Sequence, residues 1–215
     1  MTANDEATDD LNRAAGRHRA LRWLVAKPTL FLLCLMPFLW MLASVFMDSL
    51  GPDPAELLAN ETGEWAIRLL LATLAITPLA KFLKKPVINS YRRMLGLFSF
   101  FYACLHALVY GWLFVGFDFA LILDDLEKRS YIIVGFIALF AMLPLAVTST
   151  RRMRRRLGPG WKKLHRFIYL IVPLGVIHVY QQTRSDYGEV IVYALIFLFL
   201  ILVRLKWQRR ISIKY

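Results

Sequence analysis

Three of the four histidines in this 215-residue chain, His106, His165 and His178, lie inside runs that are otherwise lipid-soluble. The run "LHRFIYLIVPLGVIH", residues 164–178, holds two of them 13 positions apart, with Arg166 as its only other basic residue. An ionisable side chain in a membrane span is costly and by default marks function. A neutral imidazole there serves as an axial ligand for haem iron, or as polar glue that donates to a carbonyl on a neighbouring helix.

Depth bears on the choice. Arg93 marks the basic edge of the run holding His106, and Lys163 that of the run holding His178. His106 lies 13 residues past the first mark and His178 lies 15 past the second. At about 1.5 Å per residue these are roughly 20 and 22 Å in, the outer half of a hydrocarbon core about 30 Å thick. Two imidazoles at one level on two helices suit the axial positions of a b-type haem held between them. Ligation from both sides leaves no open position, which favours electron transfer over oxygen binding. His165 differs, because it sits at the basic edge and the matching level of the other run holds Arg93, Met94 and Leu95. A second haem there lacks a bis-histidine partner, so His165 takes a different ligand set, contacts a quinone or flavin, or packs. Thirteen steps of about 100° leave His165 and His178 about 140° apart on an ideal helix, with Pro173 between them as a candidate kink. Arg92, Arg93 and Arg166 line the basic edge, where a reductant would bind. Arg68, near the outer end of its run, snorkels or meets a haem propionate.

The elements that must carry these side chains are spans of about 20 apolar residues. Six candidates occur, at 29–47, 65–83, 94–117, 131–150, 164–180 and about 190–205. Segments 1–27, 81–93, 151–163 and 204–215 hold 5, 5, 7 and 5 Lys/Arg, which is 22 of the 27. The alternate connections, 48–64, 117–130 and 183–189, hold only Lys128, Arg129 and Arg184, yet carry 11 of the 15 acids. The positive-inside rule therefore puts both termini and the "RRMRRR" stretch in the cytoplasm. The expected fold is all-α and integral to the membrane, a six-transmembrane-helix bundle. Residues 1–27 form a cytoplasmic tail with a basic interfacial segment that includes His18, 28–210 the transmembrane domain, and 211–215 a second cytoplasmic tail.

Composition excludes several classes. At 58% hydrophobic the chain exceeds the roughly 45–50% of soluble domains. The net charge of +12 sits in short clusters between apolar runs, which points to membrane lipid and away from nucleic acid. Cys34 and Cys104 have no CxxC partner and read as two buried thiols. No acid lies in the middle of a span, which counts against a proton pump or an ion-coupled transporter. A small multi-pass transporter or channel is the competing class. The sequence shows no internal repeat and no Gly-rich dinucleotide fingerprint.

The stretches "ETGEWAIRLLLATLAITPL", "YRRMLGLFSFFYACLHALVY", "KRSYIIVGFIALFAMLPLAVTS" and "LGPGWKKLHRFIYLIVPLGVIHVY" resemble the MsrQ (YedZ) family, within the ferric-reductase-like transmembrane superfamily. The resemblance covers roughly residues 28–210. It implies a multi-pass subunit of the bacterial inner membrane that binds haem b, with His106, His165 and His178 as the ligating histidines. It implies electrons drawn from the quinone pool or a cytoplasmic flavin reductase. They are delivered to a periplasmic molybdopterin methionine-sulfoxide reductase that repairs oxidised proteins. FMN enters by resemblance alone. Ser130 departs from the family pattern, which has Pro there. NADPH oxidases of the same superfamily carry two histidine pairs, whereas the third span here offers one histidine, so one haem is expected and a second stays open.

Overall fold

The computed structural model describes residues 26–183, 185 and 187–212, with side chains as far as residue 207. His18, with residues 1–25 of the 1–27 tail and 213–215 of the 211–215 tail, lies outside the described residues. Among those described, every regular element is helical. The chain divides into two compact units, residues 1–47 and 48–215.

The first unit contributes α1 (Ala26–Phe46), 21 residues long. Pro28 falls in its opening turn, where an absent N–H costs no hydrogen bond.

The second unit holds α2 (Pro54–Phe82), a 3-10 turn (Pro86–Tyr91), α3 (Arg92–Val109), α4 (Phe119–Lys128), α5 (Ser130–Val147), α6 (Arg151–Leu157), α7 (Pro159–Leu164), a 3-10 turn (His165–Phe167), α8 (Ile168–Gln182) and α9 (Gly188–Ser212). Helix α2 starts eleven residues before the span read from hydropathy. Asp53 caps it by accepting the Glu56 N–H at 2.9 Å, and Pro54 takes the first helical position. Much of the 48–64 connection is therefore helix. Segment 117–130 likewise contains α4, and "RRMRRR" is the body of α6.

Five helices are long and apolar enough to cross a membrane: α1, α2, the 86–114 segment, α5 and α9. The run read as a fifth span does not form one unbroken helix. Gly158 stops α6, the chain tightens into a 3-10 turn at His165–Phe167, and α8 that follows has 15 residues, about 22 Å.

Within the second unit α2 packs chiefly on α3, and α5 chiefly on α8, while α9 contacts α2 and α8. Their core joins Ile67, Leu70, Leu71 and Leu74 of α2 to Met142, Ile168, Ile171, Val172, Tyr193 and Leu200. Small and hydroxyl residues let α3 approach α2 closely. Gly96 faces Thr73, and the buried Ser99 hydroxyl donates to the Ala66 carbonyl at 2.7 Å. Large apolar side chains such as Phe140 and Phe199 face outward, as lipid-facing positions do in a span. Cys104 is exposed rather than buried; on a helix face turned to lipid a small hydrophobe needs no protein cover.

Candidate functional site

The helix pairs α2–α3 and α5–α8 bring His106 and His178 together, with ring centroids 5.9 Å apart and ring planes at 86°. His106 Nδ1 lies 2.9 Å from the Ala59 carbonyl, with the Thr62 hydroxyl at 3.5 Å. His178 Nδ1 lies 2.6 Å from the Tyr131 carbonyl. A carbonyl only accepts, so each Nδ1 carries the proton and donates it. That leaves each Nε2 with its lone pair free, the tautomer in which histidine binds a metal.

Each ring rests on a glycine one helical turn past its acceptor. A Cβ on Gly63 would come 3.2 Å from His106 Nδ1, and one on Gly135 would come 2.8 Å from His178 Cε1. The two halves match in chain spacing. Each histidine follows its acceptor by 47 residues and its glycine by 43. The sequence has no visible repeat, yet the helix-pair geometry repeats.

The donors fit a haem. Two metal–imidazole bonds of about 2 Å plus the half-widths of two five-membered rings come to about 6 Å, close to the 5.9 Å observed. Among the described residues no group of three or more His, Cys, Asp or Glu could hold a metal ion. Two nitrogens alone make a poor metal site, and a macrocycle that brings four nitrogens of its own completes it. Tyr131 lies 6.0 Å from the His178 ring. Tyr110, one turn beyond His106 and at the start of a π-helical turn, donates to Asp125 at 3.0 Å.

His165 lies apart from the pair, at the basic end. Its ring stacks on Trp161 at 3.9 Å, and its Nδ1 meets the Trp161 carbonyl at 3.2 Å. Its Nε2 is buried and meets no hydrogen-bond partner. The break at His165–Phe167 separates it from α8, so its direction is not fixed by the winding of the helix that carries His178.

The arginines divide. Arg92 is half-buried at the basic end, within electrostatic reach of His165, Arg204 and Tyr169. Arg93 and Arg166 are exposed. Arg68 is held by Glu64 at 2.5 Å and Glu189 at 3.5 Å, donates to the Tyr193 hydroxyl at 3.1 Å, and lies over Trp65.

Arg204 stands near the end of an apolar run, where snorkelling is the default, yet it reaches inward. Pro78 has no N–H, so the Leu74 carbonyl one turn back lacks its helical donor; Arg204 Nη2 supplies one at 2.9 Å. Its Nη1 donates to the Tyr169 hydroxyl, its guanidinium lies over that ring, and its Nε is buried without a partner. A proline inside a span, with its freed carbonyl, was the available signal.

Residues 62–176 match the family described as ferric reductase like transmembrane component. The chain is 41% identical over 206 residues to a protein of Polaromonas naphthalenivorans, covering 92% of this chain and 94% of that one. It is 41% identical over 181 residues to one of Caulobacter vibrioides (84% and 86%), and 42% identical over 185 to one of Pectobacterium atrosepticum (86% and 93%). All three are named protein-methionine-sulfoxide reductase heme-binding subunit MsrQ. No solved structure matches.

Proposed function

The chain belongs to the ferric reductase like transmembrane family and, within it, to the MsrQ haem-binding subunits, and from that premise we propose that it is a haem b electron-transfer subunit. In this reading it crosses the bacterial inner membrane six times with both termini in the cytoplasm, α7 and α8 together making the fifth crossing and α9 the last. The basic clusters between spans support that orientation.

When bound, haem supplies a one-electron couple. His106 and His178 hold it through Nε2, while the carbonyls of Ala59 and Tyr131 fix both tautomers and strengthen both donors. Held by both histidines, the group would leave substrate and oxygen no position and would supply electron transfer alone. Gly63 and Gly135 keep the rings against their helices. Arg68, already engaged by Glu64 and Glu189, braces α2 on α9 in place of a propionate contact.

Electrons enter at the basic end, from quinol or a flavin donor, beside His165, Arg92, Arg93 and Arg166. A second haem or FMN belongs at this end. Electrons leave at the acidic end, toward a periplasmic molybdopterin methionine-sulfoxide reductase. Asp53, Glu56, Asp118 and Glu127 are exposed there and suit a basic patch on that partner, so the encounter weakens with salt. Sulfoxide reduction happens on the partner, and this chain needs no substrate pocket.

The observation that carries the reading is the pair of imidazoles 5.9 Å apart, each with Nδ1 on a backbone carbonyl. A reduced-minus-oxidised spectrum with haem quantified per chain tests it. The purified protein should show a low-spin b-type spectrum, and His106→Ala or His178→Ala should each lose most of it. A full spectrum in either variant contradicts the assignment.

A further inference from the structure

The two buried side-chain atoms that lack a hydrogen-bond partner among the described residues are Arg204 Nε and His165 Nε2. They belong to one cluster at the basic end, linked through Arg92. Arg92 on α3 feels the charge of Arg204 on α9, and His165 feels that of Arg92. Tyr169 on α8 accepts from Arg204 with its hydroxyl and lies within electrostatic reach of Arg92. No acid among the described residues forms an ion pair with either arginine: the pairs found involve Arg68, Lys128 and Arg129. Lys81, one more cation at this end, is turned onto the Trp207 ring at 5.0 Å.

Two guanidiniums that share a partly buried corner repel each other, and each loses hydration. Such an arrangement is unfavourable unless an anion neutralises it. The Leu74 carbonyl anchors Arg204 but carries no charge. Guanidinium prefers planar or bridging oxyanions, which it binds through two N–H groups at once.

We propose that Arg92 and Arg204, with the Tyr169 hydroxyl, form an oxyanion subsite for a carboxylate or phosphate group beside His165. That group is carried either by a redox cofactor seated against His165 or by a phospholipid headgroup. The inference extends the electron-transfer reading to the entry side of the chain, and the paired imidazoles do not depend on it.

The test uses the whole purified chain, depleted of lipid in detergent, with inorganic phosphate as the probe. Thermal melting is followed against phosphate at constant ionic strength, with chloride as balance. The wild type should show a saturable rise in melting temperature, as binding to the folded state alone requires. The Arg92→Gln/Arg204→Gln double variant should lose the rise, and Arg92→Lys/Arg204→Lys should keep part of it. Equal phosphate responses in wild type and the Gln double variant overturn the subsite. So does a Gln double variant that melts higher than wild type before any lipid is removed, because a filled subsite would make the two arginines stabilising. Bound phospholipid and chromophores per chain, measured on the same preparations before lipid is removed, separate the sources. A cofactor acid predicts lost chromophore with lipid unchanged, and a headgroup predicts lost lipid with chromophore unchanged. The low-spin spectrum of the His106–His178 pair, recorded in parallel, reports the electron-transfer reading separately.

Discussion

The acidic-end and basic-end histidines occupy one chain but are built in opposite ways. His106 and His178 each lie against a neighbouring helix, over a glycine, with a carbonyl one turn away fixing the proton. Both Nδ1 partners are uncharged backbone carbonyls. His165 is stacked on Trp161 of the short helix before it, has an unmet ring nitrogen, and sits within electrostatic reach of Arg92. The first arrangement is pre-organised for a metal on both sides. The second is half a site, waiting for a group that brings charge and a further contact. A facing pair of neutral imidazoles suits a fixed electron carrier, and an electropositive, incomplete site suits the place where a donor arrives.

The largest expected effect is on the pair. His106→Ala or His178→Ala should remove most of the low-spin haem while the chain still inserts in the membrane, as read by membrane fractionation and the spectrum together. His165→Ala should leave that spectrum intact, and retention of the pair's haem beside its loss in the first two variants is what separates the two regions. Its effect belongs in kinetics: reduction from the basic side should slow, and unchanged stopped-flow rates would erase the functional half of the contrast.

The glycines sharpen the comparison further. Gly135→Ala puts a Cβ 2.8–2.9 Å from two ring atoms of His178, and Gly63→Ala puts one 3.2 Å from His106. Overpacking of this kind costs about 1–3 kcal/mol. Haem per chain should fall in both, and further in Gly135→Ala; equal, full occupancy would mean the rings are not held where the structure has them. The smallest effect is at Arg68. Its ion pairs with Glu64 and Glu189 are half-exposed, so Arg68→Ala should cost about 1 kcal/mol or less, seen as a minor drop in melting temperature with the haem spectrum unchanged.

Much of this was legible in the sequence. Apolar runs separated by charge give spans, and counting residues from Arg93 and Lys163 put His106 and His178 at one depth, where the structure pairs them. The interrupted helix at His165 was less legible. Hydropathy does not register a 3-10 turn, because tightening the backbone leaves composition untouched. The early start of α2 was written in Asp53 and Pro54, but a span-length argument passes over capping residues. The glycine seats were missed because contacts 43 and 47 residues apart depend on helix packing. The repeated spacing from Gly63 to His106 and from Gly135 to His178 was nevertheless there to be counted. The inward reach of Arg204 was hidden by its position near the end of an apolar run, where snorkelling is the default. Pro78 and the carbonyl it frees pointed the other way.

The central claim is that one iron is held by Nε2 of both His106 and His178. Low-temperature electron paramagnetic resonance of the oxidised protein, beside the two single alanine variants, tests it most directly. The account predicts a low-spin ferric signal in the wild type that disappears from both variants. A wild type that is high-spin, or a variant that keeps the wild-type low-spin signal at full intensity, would contradict it.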